Sequence, residues 1–268
     1  MHIPYAQPIF GLNLSHAWAN ALLKCYDSPG GILSPAVVYF PAFSHNGLLE
    51  IAEVRAILDS QLADPSKFID NQSVIETIAG TIFPEAVWRN CRGDRQAFYK
   101  IYKDMLPFIR HKQSNRRGVY FQRMIAYPSD TAKEPINQLE HIITTWLSGN
   151  HRHSALQAGI FDPRSDHSNA PLQGFPCLQQ VAFHANGSNG KDGLSVVAFY
   201  ANQTVQEKAY GNYIGLYRLG LFMAGEMGLQ LKDIVCIASV LKLNNSRGKA
   251  KCESLVKAIR EIVKNERE

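Results

Sequence analysis

No run of residues in this sequence approaches the roughly 18 to 20 consecutive apolar positions needed to cross a bilayer, so no membrane partner is expected. The first residues, Met1-His2-Ile3-Pro4-Tyr5, lack the basic-then-apolar pattern of a secretory leader, and a cytoplasmic location is the expectation. Cysteine is sparse. The five present (Cys25, Cys91, Cys177, Cys236 and Cys252) are odd in number, widely spaced and never in a C-x-x-C pair, which argues against a zinc ribbon or a disulfide framework. Charge of one sign is also in short supply: a formal +5 suits an anionic ligand and neither requires nor excludes nucleic acid. Repeats, low-complexity tracts and Pro/Ser-rich linkers are missing, so residues 1–268 are expected to form a single domain.

Phosphate and dinucleotide fingerprints are missing too. Gly190-Lys191 resembles the end of a phosphate loop, but Ala185 and Asp192 stand where a glycine and a Ser or Thr are needed. No G-x-G-x-x-G opens a helix. His151 and His153 lie too close for a typical helical metal pair and have no carboxylate beside them, so no metal is expected. Cys177 and His184, if they share a strand, are an odd number of residues apart and point to opposite faces, which argues against a dyad.

What is present reads as helices interleaved with apolar strands. Trp18, Leu22 and Cys25 share one face of a helix beginning near Ser15 and stopped by Ser28-Pro29-Gly30-Gly31. Val37-Val38-Tyr39-Phe40 reads as a strand, and helical spacing of apolar residues predicts helices near 50–62, 73–82 and 95–111. Ile136, Leu139, Ile142, Ile143, Trp146 and Leu147 form a strong stripe ended by Ser148-Gly149-Asn150. Leu178–His184 and Leu194–Tyr200 read as strands joined by a hairpin loop over 187–193. A helix over about 212–227, a buried strand over 233–243 and a charged helix from Lys249 onward complete an α+β order with a sizeable sheet.

One ordered set of short motifs is more specific. Gly174-Phe175-Pro176-Cys177 enters a strand, a Gly-rich hairpin follows, and a second strand ends in Phe199-Tyr200. Asn212 then opens a helix carrying Met223-Ala224, and Lys232-Asp233-Ile234-Val235 begins another strand. Upstream stand Ile9-Phe10-Gly11, Ile75-Glu76, Gly118-Val119-Tyr120 and Ala126-Tyr127-Pro128. This order resembles the thymidylate synthase and pyrimidine hydroxymethylase family. The resemblance implies a large mixed sheet flanked by helices, with sheets packed face to face across a homodimer.

It also implies a chemistry, methyl or hydroxymethyl transfer to C5 of a pyrimidine nucleotide or nucleoside. A pyrimidine is inert at C5 until a nucleophile adds at C6, and sulfur serves well because it both adds and leaves readily. By resemblance Cys177 is the nucleophile, Glu76 organises water and proton transfers, and Tyr120 assists removal of the C5 proton. Asn212 reads the base edge, and Arg152 is a phosphate contact given by the neighbouring subunit. Asn202, Gln203 and Lys242 occupy further substrate-binding places. The one-carbon donor of the family is methylene-tetrahydrofolate.

The residues also depart from that pattern. Leu178 follows the cysteine where the family has histidine, and Asn202-Gln203-Thr204-Val205 replaces Arg-Ser-x-Asp. Lys242 and Asn244 replace a His-x-Tyr pair, and the tail that closes over folate is expected to be missing after the charged helix. An alternative reading is therefore a catalytically silent paralogue that binds a nucleotide or a partner protein. Taken alone, Asn212 is also a good helix N-cap, Glu76 a solvated first-turn carboxylate, and Tyr120 a core aromatic.

Overall fold

The computed structural model describes residues 8–43, 49–62, 74–149, 151–170, 174–243 and 252–265. The strands are β1 (Ile9–Phe10), β2 (Ile32–Leu33), β3 (Ala36–Pro41), β4 (Gln157–Gly159), β5 (Leu178–Ala185), β6 (Leu194–Tyr200), β7 (Gln203–Thr204), β8 (Leu231–Ala238) and β9 (Leu241–Lys242). The helices are α1 (Leu14–Asp27), α2 (Ala52–Leu62), α3 (Val74–Ile82), α4 (Glu85–Asn90), α5 (Arg95–His111), α6 (Tyr120–Ile125), α7 (Gln138–Leu147), α8 (Pro163–Asp166), α9 (Tyr210–Glu226) and α10 (Glu253–Asn265). None of the described helices is long and apolar enough to cross a membrane.

Local chemistry sets the helix ends. The Asn13 side chain accepts from the His16 amide and starts α1, while the Ser28 hydroxyl donates to the Lys24 carbonyl and closes it. Asp94 and Asn137 cap α5 and α7 in the same way, through the amides of Ala97 and Glu140. On α1 the residues Leu14, Ala17, Trp18, Ala21, Leu22 and Cys25 are fully buried, as their helical spacing requires.

The main sheet runs β1-β3-β8-β6-β5-β4, with β1–β3 and β8–β6 parallel and the remaining pairs antiparallel. A smaller sheet, β2-β9-β7, continues the same three ribbons past a break at Ala36, Ala238 and Tyr200. The segment expected as one strand over 233–243 is thus two, β8 and β9, in different sheets. Similarly, the helix expected from Asn212 begins earlier, at Tyr210, behind a π-helical turn over Val205–Ala209. The charged helix is α10; residues 249–251 and 266–268 of that expectation lie outside the described residues, as does Ser73 at the start of α3.

Helices α1 and α9 touch each other and pack on the sheet. One set of alternating strand residues, including Val38, Phe40, Val196, Ala198, Ile234 and Cys236, is buried in this core. The other set lies in cross-strand rows: Val37, Ile237 and Phe199 in one, Tyr39, Val235, Val197 and Ala182 in the next. These residues are only partly buried, and Phe199 is exposed. One apolar face of the sheet is therefore left open to solvent in the single chain.

Candidate functional site

Strand pairing builds a site around Cys177. The antiparallel β5–β6 pair places Leu178 opposite Tyr200, and the Ala201 amide donates to the Cys177 carbonyl at 3.0 Å. Residues 202–204, which leave β6, are thereby brought beside the cysteine. The Gln203 amide then donates to the Val240 carbonyl at 2.8 Å, and β7 pairs with β9 so that Thr204 is opposite Lys242. The π turn follows and feeds Asn212 into the pocket from the first turn of α9. On the other side, the Tyr120 ring lies against Phe175 at 5.3 Å, and the Arg123 guanidinium covers Phe175 at 5.5 Å. Gly118 sits at φ +132, a conformation that L side chains rarely adopt, and a Cβ there would lie tightly against the Phe175 ring at 3.1 Å.

The result is a cavity of about 730 Å³. Cys177, Tyr120, Asn202, Gln203, Asn212 and Lys242 all line it. They come from the entry to β5, α6, the β6–β7 connection, β7, α9 and β9, so only the tertiary fold brings them together. Asn212 is the third residue of α9, which Ala209 precedes, so the alternative of a helix N-cap does not hold.

Two expected residues are elsewhere. Glu76 does not line the cavity. Each residue advances an α-helix by about 100°, and it is the next one on α3, Thr77, that faces the pocket. Glu76 instead accepts from Arg55 at 2.9 Å and from Arg218 at 2.7 Å. Burial pushes its carboxyl up, but the Arg218 and Arg55 hydrogen bonds outweigh this and hold it below the usual carboxylate range. Arg152 is exposed, just ahead of the short turn His153–Ala155, and is not part of the pocket wall. Conversely, Thr77, Thr81, Ser114, Asn115, Glu207 and Lys208 line the cavity and were not anticipated. The signal for two of them was adjacency: Glu207-Lys208 directly follows the Asn202–Val205 segment.

Cys177 is half-buried, whereas Cys25, Cys91, Cys236 and Cys252 are buried. Burial raises its thiol pKa, and the charges of Lys208 and Lys242 pull the other way. The Tyr120 phenol is pushed well above its ordinary range, first by burial and then by the nearby Cys177 charge; the backbone amides of Leu178 and Cys177 oppose this. It remains protonated at neutral pH, able to donate or relay a hydrogen bond but not to act as a phenolate. Three buried polar atoms near the thiol have no hydrogen-bond partner among the described residues: Asn202 Oδ1, Gln203 Nε2 and the Tyr200 hydroxyl. An unpaired buried polar atom costs about 1 to 3 kcal/mol, and Asn202 and Gln203 are both residues of the cavity lining. Neither Lys208 nor Lys242 has a carboxylate partner among the described residues.

The pocket thus offers a half-buried thiol, several side-chain donors and acceptors, and two cations without a carboxylate partner among the described residues. In comparison with known proteins, no family model and no curated sequence matches this chain.

Proposed function

We propose that the Cys177 pocket performs thiol addition to a pyrimidine ring, as in a divergent thymidylate-synthase-like transferase acting at C5 of a pyrimidine nucleotide or nucleoside. The observation that carries this reading is that six dispersed residues of the sequence-based assignment line one cavity: Cys177, Tyr120, Asn212, Asn202, Gln203 and Lys242. In the reaction Sγ adds to C6, and the displaced electron pair passes to the C4 carbonyl oxygen as an enolate. As the enolate re-forms the C4 carbonyl, C5 bonds to the carbon of a one-carbon donor at the aldehyde oxidation level. The donor's C=O or C=N π pair passes to its heteroatom and takes up a proton. Loss of the C5 proton and expulsion of the thiolate restore the aromatic ring. Asn212 has a side-chain acceptor and donor suited to a uracil edge, and Tyr120 stands beside the sulfur as a proton relay.

Asn202, Gln203, Thr204 and Val205 supply none of the acidic groups that the resemblance assigns to folate, so no step is routed through methylene-tetrahydrofolate. The open sheet face with its rows of Val37, Tyr39, Val197, Phe199, Val235 and Ile237 supports a homodimer packed sheet to sheet. In such a dimer Arg152 would serve a site only from the second copy.

A silent paralogue that binds a nucleotide is favoured by one observation: Glu76 is locked between two arginines and leaves the cavity without the expected carboxylate. Intact-mass measurement after incubation with 5-fluoropyrimidine nucleotides and nucleosides, with and without methylene-tetrahydrofolate, separates the two. Once C5 has bonded to a donor carbon, fluorine stands where the proton would leave, so a reacting cysteine is trapped. Transfer chemistry predicts a covalent adduct that disappears in Cys177→Ser. Absence of any adduct from folded, dimeric protein leaves the binding module.

A further inference from the structure

Two cations stand in the wall of this cavity without carboxylate partners among the described residues: Lys208 on the π turn and Lys242 on β9. β7–β9 pairing places Gln203 opposite Leu241, one position before the Thr204–Lys242 pair; it is 3% exposed, its Nε2 has no partner among the described residues, and the residue lines the same cavity. A cation facing a partly apolar cavity is stabilised by an anion, and two such cations with an amide donor match a phosphate monoester, which carries about −1.5 to −2 at neutral pH. A carboxylate would neutralise only one of the two.

We infer that Lys208 and Lys242, completed by Gln203, form an anion site for a phosphate-bearing small molecule in the wall of the Cys177 pocket, and that the bound anion and the Cys177 thiolate compete for the same two cations. This rests on reading the Cys177 cavity as the ligand site but not on pyrimidine chemistry. The charged and titratable groups around the sulfur are Lys208 and Glu207 from the π turn, Lys242 from β9, Tyr120 from α6 and Tyr200 from β6. Both tyrosines are held protonated above neutral pH by burial, which leaves the lysines as the cations that favour the thiolate. An anion seated on them cancels that help and makes the thiol harder to ionise.

The coupling supplies the test. Alkylation of Cys177 by neutral iodoacetamide is followed by peptide mass from pH 6 to 10 in the full-length protein, at constant ionic strength. Inorganic phosphate, acetate and a nucleoside monophosphate are added in separate arms. Below the thiol's pKa, phosphate and the monophosphate should each slow alkylation about threefold or more, the size expected for one unit charge several ångströms away in water-like surroundings. Acetate should do much less.

In Lys208→Gln/Lys242→Gln, alkylation without added anion should already be slow, phosphate should have no further effect, and the rate ratio of anionic iodoacetate to iodoacetamide should fall. Lys208→Arg/Lys242→Arg, which keeps the charge, should behave as wild type and controls for folding. An equal phosphate response in wild type and the Gln variant, or none in either, overturns the site; a response to acetate equal to that of phosphate overturns the phosphate assignment. Phosphate sensitivity in a protein that forms no 5-fluoropyrimidine adduct would sustain this site while removing the transfer chemistry.

Discussion

The indole N–H of Trp18, fully buried on α1, donates to the carbonyl of Val205 at 2.7 Å across 187 positions of sequence. Val205 opens the π turn that carries Glu207 and Lys208 into the cavity wall. The Trp18 ring also meets Tyr210, the first residue of α9, edge-on at 5.5 Å. A single buried side chain thus fixes where one wall of the pocket stands. Trp18→Phe retains much of the apolar contact but strands the Val205 carbonyl, and should lower stability by about 1 to 3 kcal/mol. Amide hydrogen exchange over 205–209 should speed up in the same variant; unchanged exchange there would show that the bond does not hold the turn.

Glu76 is expected to matter for stability and not for the chemistry of Cys177. Arg55 and Arg218 hold its carboxyl below the ordinary range against the effect of burial. Its contribution is therefore complete above about pH 4, the unfolded carboxylate range, and is lost as pH falls through the lower folded value. Because the side chain is 36% exposed, solvent screening keeps the network's worth modest. Glu76→Gln should lower Tm at pH 7 by about 2 to 4 °C, equivalent to about 1 kcal/mol in a chain of this size. The gap from wild type should close on titration toward pH 3, and Cys177 alkylation should be unchanged. A variant of normal Tm with an unreactive cysteine would put Glu76 back in the chemistry.

Two glycines on α9 should respond in opposite directions to alanine. A Cβ on Gly215 would lie 2.8 Å from the Ala79 carbonyl oxygen, where α9 crosses α3, and nothing there can yield without moving backbone. Gly215→Ala should destabilise by about 1 to 3 kcal/mol despite its better helix propensity. Gly225 is exposed, and a Cβ added there would meet nothing within 4 Å, so Gly225→Ala should stabilise by about 0.5 to 1 kcal/mol. Denaturant melts of both variants test the α3–α9 approach that positions Thr77 and Thr81; a stabilised Gly215→Ala would contradict it.

The sequence by itself determined the elements whose signals are local. Arg95–His111 is helical as its periodicity and the Asp94 cap dictate, and β5, β6 and the loop between them follow from two apolar runs around a glycine-rich turn. The α+β class was legible too, and Cys177, Tyr120 and Asn212, named together from the order of short motifs, line one cavity. Tertiary structure alone decided the rest. Whether Glu76 or Thr77 faces the cavity is a matter of about 100° of helix rotation, set by where Arg55 and Arg218 arrive from α2 and α9. The division of 231–242 into β8 and β9 depends on partners in two different sheets. Lys208 joins Lys242 only because the Trp18 bond and the β7–β9 pairing bring together segments that share no local signal. Periodicity records which face of an element is apolar, but charge and hydrogen-bond partners from distant segments choose what the polar face does.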